Sequence, residues 1–190
     1  MTKSKLIISG SSFLIPENKA WAELAKLHNL EFTDYGGWSR VLLEDSGEDA
    51  VIVVFSDDFL GNRELSRNEA INAFSSFIDL LEKNLENSDG FLLVAFSCFQ
   101  ESNLIRYSRS INEISHIHYW FKCKLEELCK KFNQLYCVDL DHEFSLIGHN
   151  NVFDSRNWYF AHSRLSNNGV KILADSIFRI VEKRKNIPSK

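Results

Sequence analysis

Short apolar runs alternate along this chain with longer segments whose apolar residues recur at helical spacing. A run that is apolar at nearly every position is typical of a strand buried on both faces, so these runs indicate strands of an internal sheet. Parallel strands need long crossover connections, and the intervening segments are long enough to supply them. We read five strands, the second of them weak and more polar, at residues 5–9, 31–35, 50–55, 91–96 and 135–140.

The segments between the strands predict amphipathic helices, because their apolar residues are three or four positions apart and share one helical face. The predicted helices begin near residues 17, 67, 111 and 166. This order favours a three-layer α/β/α sandwich with a mainly parallel five-stranded sheet. The sequence contains no internal repeat or low-complexity linker. We expect residues 1–185 to form a single domain and residues 186–190 to be a basic tail.

The net charge and the length of the apolar runs limit the classes of partner that we expect for this chain. The 190 residues have a formal net charge of -4, which gives no general attraction to nucleic acid or to anionic lipid. No apolar run approaches the ~18 residues of a membrane span, and none is long enough for a signal-peptide core. We therefore expect a cytoplasmic protein with no nucleic-acid or membrane partner. The four cysteines lack Cys-x-x-Cys spacing and are expected to be free thiols.

The loops after the strands are the expected place for function, because ligands of open parallel sheets bind beyond the carboxyl ends of the strands. The first such loop reads Gly10-Ser11-Ser12-Phe13. A serine at this strand-to-helix turn lies near backbone N–H groups that favour a developing negative charge, which suits a nucleophile. The same residues also fit a polar loop that satisfies its own backbone hydrogen bonds.

These loops predict neither a cofactor nor a metal. The first loop has neither the spacing of a phosphate-binding loop nor the Gly-x-Gly-x-x-Gly of a dinucleotide turn. A flavodoxin-like domain with a bound cofactor is disfavoured, because this loop lacks a run of Ser and Thr donors. Asp139, Asp141 and His142 are the best candidates for a metal site, but alternation along a strand sends neighbouring side chains to opposite faces.

The segment before the last helix is the richest in groups for acid–base chemistry. Histidine is the side chain best suited to accept a hydroxyl proton near neutral pH, so His162 is the candidate base. Asp154 is the candidate partner that holds its ring. Arg156 and Arg164 either bind a phosphate or carboxylate of a substrate or form surface ion pairs.

Two further loops contain candidate groups for the site. Gly37 can present its backbone N–H to an oxyanion where a side chain would block access, or it can form a plain turn. Asp57 and Asp58 follow the strand at residues 50–55. They are candidates to orient a base, to bind a cation or to cap a helix.

From about residue 5 to residue 181, the chain resembles SGNH/GDSL-type hydrolases, and most closely the amino-terminal SGNH-like half of FkbH-type proteins. Gly10-Ser11-Ser12-Phe13 is similar to the Gly-Asp-Ser-Leu block, and Gly37 matches the glycine of the second block. The resemblance implies a flavodoxin-like strand order, Ser12 as nucleophile and the N–H groups of Ser12 and Gly37 as oxyanion donors.

The later part of the chain is similar to the FkbH pattern. The matching segments are Asp139-Leu140-Asp141, Gly148, Asp154-Ser155-Arg156-Asn157-Trp158-Tyr159 and Ser166. In FkbH-type proteins this half precedes a phosphatase-like half, and the pair resembles enzymes that load a glyceryl unit onto a carrier protein. The 190 residues contain no Asp-x-Asp-x-Thr phosphatase motif. Glyceryl loading would therefore need a separate phosphatase protein.

Two positions depart from the family blocks. Asp57 stands where the third block has an amide donor for the oxyanion, and an ionised carboxylate there would repel an anion unless it is protonated or turned away. In the last block, counting back from Ser166 places Arg164 in the position of the base, with His162 two residues earlier. His162 can act as the base only if this loop bends differently.

The sequence thus favours a serine acyl-group enzyme, an O-acyltransferase or esterase acting on a sugar or carrier-bound substrate. Ser12, His162 and Asp154 would form its catalytic unit. We expect substrate contacts from the hydroxyl of Ser11, from the arginines named above, and from aromatic pocket walls at Tyr35, Trp38 and Trp158. The alternative is a catalytically degenerate binding module that docks a carrier protein or a separate phosphatase.

Overall fold

A five-stranded parallel sheet forms the centre of the protein, for which the computed structural model describes residues 3–44, 47–56, 59, 67–98 and 111–185. Its strands are β1 (Lys5–Gly10), β2 (Asn29–Phe32), β3 (Asp49–Phe55), β4 (Leu92–Ser97) and β5 (Leu135–Asp139). Their order is β2-β1-β3-β4-β5, and every neighbouring pair is parallel. This is the flavodoxin-like order, so the predicted α/β fold is confirmed.

Helices cover both faces of this sheet. Within the described residues they are α1 (Ala22–Leu27), α2 (Trp38–Leu43), α3 (Arg67–Asn87), α4 (Ile111–Lys131), α5 (Leu140–Ser145), α6 (His149–Val152), α7 (Ser155–Ala161) and α8 (Asn167–Lys185). One apolar cluster joins the sheet to α2, α3 and α4, and a second joins it to α1, α5, α6 and α8. None of these helices is long and apolar enough to cross a bilayer.

The two clusters explain why the central strands are apolar throughout. In β3, Ile52 and Val54 belong to the first cluster, whereas Val51, Val53 and Phe55 belong to the second. Because successive side chains of a strand point to opposite faces, a sheet covered on both sides needs apolar residues at every position. All six residues of β4 are likewise buried.

The start of the first crossover differs from the prediction. We expected β2 at residues 31–35, but it spans Asn29–Phe32, because the chain enters the sheet directly after α1 and Asn29 N–H donates to Ser4 O at 2.9 Å. We also expected a helix from residue 17. Asn18 instead caps a 3₁₀ turn at Lys19–Trp21, which leads into α1.

The connection between β5 and the last helix is also more ordered than predicted, since the sequence was read there as loop. It contains α5, α6 and α7. Asp139 caps α5, with its side chain accepting a hydrogen bond from Asp141 N–H. The last helix begins as predicted near Ser166, whose Oγ accepts from Gly169 N–H at 3.1 Å. Short helices of this kind have too few turns to produce a clear apolar period.

We expect Gly169→Ala to destabilise the protein, although alanine favours helices by about 1 kcal/mol over glycine. A Cβ at this position would overlap the Val152 carbonyl oxygen of α6 and lie 3.1 Å from Leu165 Cδ2. Overpacking of this kind costs about 1–3 kcal/mol. Denaturant unfolding of this variant and of Asn168→Ala, a change at the exposed neighbouring position, measures the effect. Equal stability of Gly169→Ala and the native protein would contradict this packing.

Candidate active site

Ser11, in the turn after β1, continues the hydrogen bonding between β1 and β3. Ser11 N–H donates to Val53 O at 2.9 Å, and Ser11 Oγ accepts from Phe55 N–H at 3.0 Å. The Ser11 side chain is buried and extends the hydrogen bonding at the end of β3. The Ser11 hydroxyl oxygen thus binds the backbone of β3, and a contact between Ser11 and a substrate stays a prediction.

Ser12 lies where the chain leaves the sheet. Only 2% of the residue is exposed. Gly10 makes the tight turn possible, because a Cβ there would lie 2.7 Å from the Ser12 carbonyl oxygen. The candidate nucleophile is thus at the carboxyl end of β1, in a buried position.

His162 lies beside this turn, although it comes from the other end of the chain. Phe13 N–H donates to the His162 carbonyl oxygen at 3.0 Å. The φ of His162 is 51°, a left-handed conformation that a residue other than glycine adopts only when its surroundings impose it. The main chain therefore brings the candidate nucleophile and the candidate base to neighbouring positions.

The loop that contains His162 is held by hydrogen bonds on both sides. Asp154 N–H donates to Arg164 O, and the Asn157 side-chain amide donates to Leu165 O, both at 3.0 Å. These bonds hold the bend of the chain after α7, in which the His162 carbonyl oxygen meets the turn after β1. Asn157 is a residue of the predicted motif for which the sequence suggested no role.

The His162 ring is exposed and packs against Tyr35. The ring centroids are 5.4 Å apart, with the planes inclined by 41°. Tyr35 is itself 50% exposed. Its loop is tied to the first turn, because Gly36 N–H donates to Gly10 O at 3.2 Å. We predicted Tyr35 as a pocket wall, and its contact with the candidate base could not be read from the sequence.

The charged partner of Asp154 is Arg156. Its Oδ1 accepts from Arg156 Nε at 3.0 Å and its Oδ2 from Arg156 Nη2 at 2.9 Å. These bonds, together with one from the Arg156 backbone N–H, lower the pKa of Asp154. Arg156 thus forms the second of its predicted alternatives, an ion pair, and the role of Asp154 in orienting His162 stays a prediction.

One of the predicted oxyanion donors is engaged within the fold. Gly37 N–H donates to Asp34 O at 2.9 Å, so it closes a turn instead of pointing to an oxyanion. A Cβ at this position would lie 2.8 Å from Thr33 Oγ1, and this close approach explains the glycine. Asp57, the other predicted residue of this group besides Ser12, lies outside the described residues.

The aromatic and basic residues that were predicted to bind substrate lie in different surroundings. Trp38 packs against Phe59 and Phe77, with ring centroids at 5.5 and 5.3 Å, so its indole belongs to the apolar core and not to a pocket wall. Arg164 is half-buried beside His162 in the loop. The Trp158 side chain lies outside the described part of the structure.

A second polar cluster joins the carboxyl ends of β4 and β5. Lys122 Nζ on α4 lies 2.7 Å from Asp139 Oδ2 and 3.4 Å from Asp141 Oδ2. Asp141 also accepts from Ser97 Oγ at 2.7 Å and from Cys98 N–H at 3.1 Å. The Asp-Leu-Asp pattern was evident in the sequence, but its cationic partner was not, because Lys122 lies on a helix far away in the chain.

We interpret this cluster as a set of contacts that stabilises the fold by holding α4 to the ends of β4 and β5. Among the described residues, no three His, Cys, Asp or Glu side chains gather closely enough to hold a metal ion. Burial, with a smaller effect of Asp141, raises the pKa of Cys98 to about 12. Burial lowers the pKa of His118, one turn before Lys122, to about 4. Both groups are thus neutral near pH 7.

Comparison with known proteins supports the fold. No family model and no curated protein matches the sequence. Among solved structures, the N-terminal part of protein BF1531 from Bacteroides fragilis, a structure containing a phosphatase domain complexed with Mg, has a TM-score of 0.77 at 14% identity. The match covers 97% of this chain but 53% of that one, so the chain spans about half of the Bacteroides structure.

Two other similar structures are enzymes that transfer or remove acyl groups. One is the C-terminal catalytic domain of peptidoglycan O-acetyltransferase A from Streptococcus pneumoniae, with a TM-score of 0.54, 13% identity and coverage of 100% of this chain and 98% of that chain. The other is a family two carbohydrate esterase from Clostridium thermocellum, with a TM-score of 0.50, 9% identity and coverage of 97% and 65%. The fold is therefore SGNH-hydrolase-like.

We expect Asp141→Ala to lower the free energy of unfolding by about 1–3 kcal/mol. The change leaves the buried Ser97 hydroxyl and the Cys98 N–H without this acceptor, and it removes one of the two carboxylates next to Lys122. Denaturant unfolding measures the loss, with the exposed Asp79→Ala on α3 as the matched control. A loss no larger than that of the control would contradict the tying role of Asp141.

Stability should fall as the pH is lowered from about 6.5 to about 4, in part because of His118. Its folded pKa of about 4 lies below the ordinary value of 6.5, so the unfolded chain binds the proton first in this interval. The loss from this group is on the order of 3 kcal/mol. His118→Leu should flatten this part of the curve of unfolding free energy against pH. Leucine at the exposed His116 is the control, and an unchanged curve for His118→Leu would contradict the assignment.

Proposed function

We propose that the protein is an SGNH-like serine acyl-group enzyme, an O-acyltransferase or esterase acting on a sugar or carrier-bound substrate. In this mechanism the Ser12 hydroxyl attacks the acyl carbonyl carbon, and His162 accepts the hydroxyl proton. The resulting oxyanion is stabilised by the Ser12 backbone N–H at the end of β1. His162 then returns the proton to the leaving group, and a second nucleophile releases the acyl group from Ser12.

The main-chain hydrogen bond between Phe13 and His162 carries this proposal. It places the first turn and the last loop side by side at the carboxyl edge of the sheet. Active sites of open parallel sheets lie at this edge. The strained φ of His162 adds weight, because strain of this kind concentrates at functional positions.

The substrate class rests on the similar structures. The two that are nearest in chemistry are a peptidoglycan O-acetyltransferase domain and a carbohydrate esterase. One is described by its action on peptidoglycan and the other by its action on carbohydrates, which favours a sugar as acyl acceptor or donor. Tyr35 is suitably placed for such a substrate, because its half-exposed ring lies next to His162 and sugars pack on aromatic faces.

A binding module is the second candidate, and specific contacts favour it. The Gly37 N–H and the Asp154 carboxylate, two groups that an enzyme of this type would use, are both engaged elsewhere. In this case the domain would dock a carrier protein or a separate phosphatase. The similar Bacteroides structure, which contains a phosphatase domain, is consistent with that partner.

Sulfonylation of Ser12 tests the first candidate against the second. Ser12 is buried, so a small reagent is needed, and methanesulfonyl fluoride matches the methylsulfonyl adduct of the acetyltransferase domain. We expect the native protein to be labelled at Ser12, as located by peptide mass spectrometry. His162→Gln should slow labelling by about 10²–10⁴-fold, because the general base is lost.

The controls separate loss of chemistry from loss of fold. Ser12→Ala should lose labelling and lower kcat/KM for p-nitrophenyl acetate by several powers of ten, with unchanged thermal unfolding. The exposed His116→Gln should label at the native rate. Native protein that stays unlabelled while correctly folded would support the binding module, and rapid labelling of His162→Gln would remove His162 from the mechanism.

The Asp154–Arg156 pair gives a further prediction. If Asp154 orients the His162 ring during the reaction, it must first leave Arg156, so Arg156→Gln should raise kcat. Asp154→Asn should lower kcat in both the native and the Arg156→Gln background, because a neutral amide holds an imidazolium less well. Initial rates with p-nitrophenyl acetate measure both. An Asp154→Asn variant with the native kcat would leave Ser12 and His162 acting without a carboxylate.

A further inference from the structure

Two thiols face each other between α4 and β5. The Sγ atoms of Cys129 and Cys137 are 3.2 Å apart, and both residues are half-buried. A disulfide bond is about 2.05 Å long, so the sulfur atoms need to approach by only about 1 Å. Side-chain rotation can supply most of this distance, and the sheet register does not have to change.

The backbone on both sides of the pair is well fixed. Phe132 N–H donates to Leu128 O at 2.8 Å and closes α4, and Leu135 N–H donates to Phe132 O at 3.1 Å as the chain enters β5. The Gln134 side-chain amide donates to Leu85 O of α3 at 2.9 Å. These contacts fix the short connection between α4 and β5, and so they hold the two thiols close to each other.

The two thiols are not equivalent. The two thiols share a hydrogen bond. When Cys129 is ionised, its sulfur can only accept in this bond, and the bond lowers the pKa of Cys129 against the opposing effects of burial and of Glu126. The same bond and its own burial raise the pKa of Cys137. A thiolate therefore forms first at Cys129, and the thiolate is the nucleophilic form of cysteine.

We propose that Cys129 and Cys137 form a site of reversible thiol–disulfide exchange with a small-molecule disulfide such as oxidised glutathione. The Cys129 thiolate attacks one sulfur of the reagent, forms a mixed disulfide and releases one glutathione thiolate. Cys137 then loses its proton to solvent, and its sulfur attacks Cys129 Sγ. The protein disulfide forms, the mixed disulfide breaks and the second glutathione leaves, so the reagent gains the two electrons that the thiols lose.

This inference is independent of the proposed acyl-group chemistry. The pair joins the middle of β5 to the last turns of α4, whereas the turn that contains Ser12 and the loop that contains His162 meet at the carboxyl edge. A disulfide would join the helix covalently to an edge strand of the sheet. Cross-linking residues close in sequence constrains the unfolded chain modestly, so the oxidised protein should unfold at a slightly higher temperature.

Incubation of the folded full-length chain with oxidised glutathione tests the proposal. After the remaining thiols are alkylated, we expect peptide mass spectrometry to show a Cys129–Cys137 cross-link in the native protein and its disappearance after dithiothreitol. Cys98, whose buried thiol has a raised pKa, should remain reduced and so report that the fold is intact. Cys123, on the same helix, is the internal control for a thiol outside the pair.

The single substitutions test the order of the two steps. Cys137→Ser should stop at a stable glutathione adduct on Cys129, because the resolving thiol is absent. Cys129→Ser should react at least tenfold more slowly, because burial still raises the pKa of the remaining Cys137 thiol when the Cys129 thiol is absent. No cross-link in native protein with Cys98 protected, or preferential oxidation of Cys123, would overturn the proposal. Equal reaction rates of the two single variants would overturn the assigned roles.

Discussion

The hydrogen bond from the Phe13 N–H to the His162 carbonyl oxygen is the contact on which the candidate site depends. Parallel pairing places the carboxyl ends of all five strands at one edge of the sheet. The chain leaves β1 at this edge and returns to it after β5, so the hydrogen bond can form. The position of α8 is then decisive. Gly169 lets this helix lie against the Val152 carbonyl of α6, which places the start of α8, and hence the preceding loop, within reach of the first turn.

The sequence predicts the layered fold well because its signal is repeated over many residues. The apolar runs at β3 and β4 and the spacing of Phe74, Phe77 and Leu81 along α3 all arise from burial in the same two clusters. Burial acts on each residue in a similar way, so errors at single positions average out. Element boundaries depend on individual hydrogen bonds, as at Asn29, and were therefore less accurate.

The site was predicted less completely, because polar residues choose among competing partners. Ser11, Asp154 and Gly37 are the residue types that an esterase needs at those positions, yet each also fits a local backbone or ion-pair role. These roles are the ones observed: Ser11 Oγ accepts from Phe55 N–H at the end of the adjacent strand, and Asp154 pairs with Arg156, two residues away. Arg156 costs Asp154 little chain entropy to reach, whereas Phe55 is brought to Ser11 by the pairing of β1 with β3. Sequence alone can list the groups that meet at an edge, but not which of them remain free for chemistry.

Helix α4 shows how polar contacts complete an edge of the sheet that apolar packing leaves partly open. β5 is an edge strand, and four of its five residues are only half-buried. Along α4, Lys122, Leu125 and Cys129 are three or four residues apart and so share one face. Lys122 pairs with Asp139 and Cys129 meets Cys137, and these two strand residues point to the same side because they are two positions apart. The helix is thus fixed to β5 by an ion pair at one end and a thiol contact at the other, with the buried Leu125 between them. A small shift of α4 along the strand would break both contacts at once, which is why this pairing sets the register of the helix more sharply than an apolar stripe alone would.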